Sequence, residues 1–203
     1  MRIPSILDAL YEQHYTGAFQ FSEVTSSHWR EVGWHKVSKT PLGWKLEGHG
    51  FGSRRKNRFS TRLIRFPSEI LVGRLLKRFS CPHRLIELGR EIAERQQRHF
   101  DYDCARHVLT LAFLEKWLPL LRSELLPDSD SIAIIGDTYG YLGGLIHAWL
   151  PRTQIIEINL GRTLFFDAYY LGLAFPESRH ILYFDTLAPS GEQDFIYVAA
   201  ENV

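Results

Sequence analysis

The order of apolar runs and glycines between Ser131 and Phe175 predicts an α/β protein. Its expected form is a mainly helical N-terminal region followed by a partial Rossmann-like parallel sheet with flanking helices. Three observations carry this reading. Ile132–Ile135 form an apolar run that ends directly at Gly136, as a buried strand feeding a tight turn does. A helix-like segment, Gly143–Trp149, comes next, and a second apolar run, Gln154–Ile158, stops at Asn159. Strands that alternate with helices imply parallel pairing, because a parallel neighbour needs a crossover long enough to hold a helix.

The elements follow in chain order. Ile3–Tyr15 has Ile6, Leu7, Leu10 and Tyr11 at helical spacing, with Pro4 in the first turn, where its missing N–H costs nothing. Ser26–Gly52 alternates Trp29, Trp34, Trp44, His28, His35, His49 and Phe51 with five glycines, which breaks helices and predicts loops with a short hairpin. Glu69–Phe79 and His83–His99 read as helices, the second started by Pro82. Tyr102–Leu125 reads as a longer helix that Pro119 is expected to kink or divide. Pro127-Asp128-Ser129-Asp130 is a polar break, so the chain is divided into a region 1–127 and a cofactor-binding region 128–203. Beyond the two apolar runs, Thr163–Gly172 reads as a helix and Ile181–Phe184 and Phe195–Ala199 as strands.

A 45% hydrophobic content suits a packed core and argues against disorder. No apolar stretch approaches the roughly 18 residues of a membrane span, and no secretory leader is read at the start, so a cytoplasmic location is expected. Cys81 and Cys104 show no CxxC pattern and read as ordinary reduced thiols. The histidines lack HExxH or Cys/His zinc spacing, so no metal site is expected. Charge is uneven. Ser53–Phe79 carries nine bases and one acid, and Asp128–Val203 three bases and ten acids. The halves can attract each other, or the basic segment can face an anionic partner; no nucleic acid is expected.

Gly136, Gly140 and Gly143-Gly144 follow the first apolar run at the places where a cofactor turn needs a tight bend and a close helix. No Gly-Lys-Ser/Thr is present, which argues against a phosphate-cradling NTPase. Asn159 ends the second run roughly 20 positions later, where a ribose hydroxyl is bound in such units.

The stretch Ile135-Gly136-Asp137-Thr138-Tyr139-Gly140-Tyr141-Leu142 resembles the turn of the sugar O-methyltransferases of bacterial polysaccharide loci. It matches that turn at the isoleucine, the first and third glycines, the tyrosine and the leucine. Asn159-Leu160-Gly161-Arg162-Thr163-Leu164, Tyr169-Tyr170-Leu171 and Phe175-Pro176 are similar to the segments that follow there. The resemblance covers about Ile132–Pro176. It implies a Rossmann-like enzyme that uses S-adenosylmethionine to methylate a sugar or polysaccharide hydroxyl. Gly136, Asp137, Thr138, Tyr139, Gly140, Asn159 and Leu160 are then the cofactor-binding residues. Three positions depart: Ile134 stands where the family has an acid, Thr138 replaces the middle glycine, and Asn159 replaces the ribose-binding acid. Glu157, on the same strand face as Asn159, is read either as a substitute for that acid or as an ordinary strand residue. Asp137 either touches the ligand or bonds its own turn.

No catalytic base is assigned. His147 is read as structural, His180 as a loop residue, and Trp29, Trp34 and Trp44 as core aromatics or sugar-stacking rings. In the resembled fold the strand order is 3-2-1-4-5-7-6, and this chain reaches at most the third strand. The first strand is therefore expected at an open edge, in a fragment or under a cover from the N-terminal half or a second subunit of a homo-oligomer. An incomplete or inactive enzyme is part of the same expectation. Two alternatives stand beside the methyltransferase: a degenerate, non-catalytic Rossmann-like binding protein, and an NAD(P)-dependent oxidoreductase suggested by the Gly136-x-x-x-Gly140 spacing.

Overall fold

Apolar residues at helical spacing build the first layer. The computed structural model describes residues 3–16, 36–41, 43–47, 70–125, 131–137, 139–183 and 194–202; of 118–125 it describes the backbone only. Helix α1 (Ile3–Tyr15) buries Ile6, Leu7 and Leu10. Strands β1 (Lys36–Thr40) and β2 (Gly43–Glu47) pair antiparallel as the expected hairpin. Three helices follow: α2 (residues 70–78), α3 (His83–Arg95) and α4 (Tyr102–Leu125). Then come β3 (Ser131–Ile135), α5 (Tyr141–Trp149), β4 (Gln154–Asn159), α6 (Gly161–Ala174), β5 (His180–Leu182) and β6 (Phe195–Ala199). A single 3₁₀ turn, Ala200–Asn202, closes the described chain.

The four later strands form one parallel sheet in the order β3-β4-β6-β5. Residues Ile132–Ile135 lie opposite Ile155–Ile158, and Ile155–Asn159 opposite Phe195–Ala199. The sheet thus holds all four strands read in the sequence, one beyond the third of the resembled order, because β5 pairs outside β6. Among the described residues β3 pairs on one side only, so the expected open edge is present. Strand alternation turns Ile155 and Glu157 toward α5, where both lie against Gly143. Ala133 and Ile135 point to the other face, and Ile135 is 82% exposed.

The core joins both ends of the chain. Tyr15 Oη donates to the Arg162 carbonyl at 2.8 Å, and Arg162 Nε donates to the His14 carbonyl at 2.8 Å, which ties α1 to α6. Trp44 packs on Tyr11 and edge-on to Phe165, so this tryptophan is a core aromatic. Leu85, Ile92, Val108 and Leu111 of α3 and α4 join Leu145 and Ile146 of α5 in the same buried cluster. The break at Pro127–Asp130 lies outside the described residues, as do Trp29, Trp34, His28, His35, His49 and Phe51.

Two sequence expectations change. Pro119 does not divide α4, which runs unbroken to Leu125; proline removes one N–H from the ladder, and the flanking turns continue the helix. Helix α3 ends at Arg95 rather than His99. Gln97 takes a left-handed φ of 55°, its N–H bonds the Glu94 carbonyl at 2.8 Å, and the Arg98 N–H bonds the Ala93 carbonyl at 2.8 Å. This is a Schellman ending with glutamine where glycine is usual. Among the described residues no helix is long and apolar enough to cross a membrane.

Candidate functional site

The turn after β3 begins as a continuation of the sheet. The Gly136 N–H reaches the Ile158 carbonyl at 2.9 Å, and the chain then bends through left-handed φ values at Gly136 (77°), Tyr139 (78°) and Gly140 (59°). Gly140 is required on two counts. Its φ suits glycine, and a Cβ there would fall 2.6 Å from Leu171 Cγ and 3.0 Å from the Asp167 carbonyl oxygen. Thr138 lies outside the described residues.

The polar side chains of the turn face inward. Asp137 accepts hydrogen bonds from the Leu142 N–H at 3.0 Å and the Gly143 N–H at 2.6 Å, capping α5 with its own carboxylate. Of the two readings of Asp137, turn stabilisation is what its contacts record. The Gly140 N–H donates to Asp167 Oδ1 at 3.0 Å. Asn159 Nδ2 donates to Asp167 Oδ2 at 2.9 Å, and Asn159 Oδ1 accepts from the Leu160 N–H at 2.9 Å. That leaves the amide one N–H and one lone pair for an outside group. Helix α6 starts after Leu160 with no side-chain cap of its own. Glu201, from the 3₁₀ turn, supplies one instead, accepting from the Gly161 N–H at 3.1 Å.

Behind the turn three carboxyls share one buried cluster. Glu157 is fully buried, and among the described residues no donor reaches either of its carboxyl oxygens. Burial pushes its pKa well up, and the neighbouring Asp137 and Asp167 push it further. A proton held between Glu157 and Asp137 converts their contact from repulsion into a hydrogen bond. Burial also raises Asp137 and Asp167, but both are partly offset by the N–H groups they accept. Among the described residues Glu157 has no donor to hold a charge, so a proton in this cluster favours it over Asp137, whose carboxyl burial pushes up to about 7. Glu157 is a strand residue of β4, as one of its two readings had it, and its carboxyl is enclosed beside Asp137.

The helical region completes the turn. Gln96 Nε2 donates to the Tyr139 carbonyl at 3.2 Å. The Arg98 guanidinium, buried, stands over the Tyr139 ring at 4.6 Å and near Tyr170 at 5.5 Å, and its charge favours the ionised form of Asp137. Sequence reasoning missed Gln96, Arg98, Asp167 and Glu201. Asp167 alone left a signal, as the single acid in the apolar helix stretch Leu164–Leu173.

Of the seven residues expected at the site, Gly136, Asp137, Tyr139, Gly140, Asn159 and Leu160 gather at the carboxyl ends of β3 and β4. The histidines lie elsewhere. His147 stands edge-on to Phe175 at 5.0 Å. His180 is the first residue of β5 rather than a loop residue. It is buried, 2.7 Å from Tyr197 Oη and 3.0 Å from the Phe175 carbonyl, because its ring stacks flat on Phe195 and Tyr197. Among the described residues no group of three metal-ligating side chains forms a metal site.

The fold and this turn define the class: an α/β protein with a parallel four-stranded sheet and flanking helices, consistent with a partial Rossmann-like fold. No family model, no curated protein and no solved structure matches the chain.

Proposed function

We propose that the turn Gly136–Gly140 binds S-adenosylmethionine and that the protein belongs to the sugar O-methyltransferase class. One observation carries the choice of cofactor: the N-termini of α5 and α6 are capped by the protein's own carboxylates, Asp137 and Glu201. A dinucleotide needs those N–H groups for its pyrophosphate. Carboxylates already there repel a phosphate, and they favour a ligand whose charge near the turn is positive. A sulfonium nucleoside meets that requirement and brings no phosphate.

The residues present fit such a ligand. Asn159 offers its remaining N–H and lone pair to a ribose hydroxyl, and at Gly136 an added Cβ would meet nothing within 4 Å, so the backbone is open to approach. When bound, the cofactor supplies an electrophilic methyl on sulfur. The protein's part is to orient: Asp137 and Asp167 fix the turn through the Leu142, Gly143 and Gly140 N–H groups, and Gln96 holds the Tyr139 carbonyl. A general base for the acceptor hydroxyl is not among the histidines His147 and His180, whose rings are packed against aromatic residues.

Titration calorimetry on the whole chain tests this. S-adenosylmethionine should bind and NAD should not, and Asn159→Ala should weaken binding about tenfold. Tighter binding of NAD, or no binding of either, overturns the proposal. The inward turning of Asp137, Asn159 and Asp167 favours a second reading, a non-catalytic binding protein. S-adenosylmethionine binding without methyl transfer to any glycan acceptor would select it.

A further inference from the structure

Helices α2 and α4 leave an apolar surface uncovered. Tyr102, Arg106, Leu109, Thr110 and Phe113 lie along one stripe of α4 and face Leu75 and Phe79 across an open groove of about 480 Å³. Phe79, Tyr102 and Phe113 are 61%, 65% and 62% exposed. Exposed large rings that share a groove cost hydration free energy and mark a contact surface. Trp117 extends the stripe, 6.0 Å from the Phe113 ring, with the Lys116 ammonium 5.4 Å from its own ring centre.

The rim is basic. Arg74, Lys77 and Arg78 are exposed on α2, which contains no acid. Arg106 and Lys116 are exposed on α4. Two described acids of α4 are engaged: Glu115 pairs with Arg84, and Asp103 lies 3.8 Å from Arg106. We infer that this face docks on an anionic lipid surface, with the rings entering the acyl boundary and the rim cations meeting headgroup charge. Two alternatives fit less well. A second copy would bring the same positive rim against itself. A nucleic acid or acidic peptide would use the rim cations but leave the apolar floor of Leu75, Phe79, Leu109 and Phe113 poorly matched.

Co-sedimentation of the whole chain with vesicles tests the inference, comparing phosphatidylcholine alone with its equimolar mixture with phosphatidylglycerol. Binding should appear with the mixture only and fall steeply at about 0.5 M salt. Two variants separate the contributions, both changing exposed side chains so that the fold survives: Phe79→Ser with Phe113→Ser, and Arg74→Gln with Lys77→Gln and Arg78→Gln. Each should weaken binding by more than about tenfold. Absence of binding overturns the inference. So does binding that the charge variant abolishes and the ring variant leaves intact, since that is adsorption without insertion. A dimer in sedimentation velocity that the ring variant dissolves would assign the face to a second copy and overturn it equally.

Discussion

Replacing Glu157 by glutamine should stabilise this protein, although it alters a fully buried and tightly packed residue. Glu157 is 0% exposed and lies against Asp137 and Asp167, and burial and these carboxyls push its pKa well above the ordinary value. In the unfolded chain a glutamate ionises with a pKa of 4.5. Between that pH and neutrality, unfolding releases the proton, so stability falls as pH rises toward the raised folded value. Holding the proton costs about 1.4 kcal/mol for each pH unit above the unfolded value, up to about 3 kcal/mol for a proton kept to pH 7. Glutamine keeps the shape, stays neutral, and turns an N–H toward Asp137 in place of the carboxyl proton. Glu157→Gln should therefore gain about 2–3 kcal/mol at pH 7 and stay within about 1 kcal/mol of the parent at pH 4. Urea unfolding followed by tryptophan fluorescence at both pH values measures this. A variant weaker than the parent at pH 7, or a gain that does not depend on pH, would refute the reasoning. Glu157 would then be ionised in the fold and paired in some other way.

Other changes probe the neighbouring contacts. Gly143→Ala places a Cβ 1.9 Å from Glu157 Oε1 and 3.2 Å from Ile155 Cγ2, and should cost about 2–3 kcal/mol in the same urea assay. Burial lowers His180 to about 4 from an ordinary 6.5, so its contribution is present above pH 6.5 and is lost as pH falls toward 4. An NMR titration should find its ring neutral at about pH 5, where an exposed histidine is charged. Ile135→Lys, on the open face of the edge strand, should change stability by less than about 0.5 kcal/mol and reduce aggregation on concentration, read by light scattering.

Much of the fold was legible because the apolar pattern of each segment is strong. β6 falls on the expected Phe195–Ala199, and α1 on Ile3–Tyr15. Helix ends were less legible where a residue other than glycine takes the left-handed position. Gln97 ends α3, and Ser80, with φ 50° and the Cys81 N–H bonded to the Leu76 carbonyl at 3.0 Å, ends α2 in the same way. Nothing in those side chains marks the place, since surrounding contacts hold the strained backbone. Site residues were legible where they sit next to the glycines. Glu201 and Arg98 were not, because each reaches the turn region from about 40 positions away along the chain.

The sequence by itself determined a strand, a glycine-bearing turn, a helix and a second strand, since a period of two or of 3.6 needs only neighbouring residues to be read. The resemblance of its turn singled out seven residues, and all but Thr138, which lies outside the described residues, sit at the ends of β3 and β4. Only the tertiary structure decided what those residues face. Asp137 caps α5, Asn159 turns to Asp167, and burial together with the neighbouring carboxyls pushes the Glu157 pKa well up. Burial belongs to the packed molecule, and no local pattern along the chain reports which of several polar groups will be enclosed together.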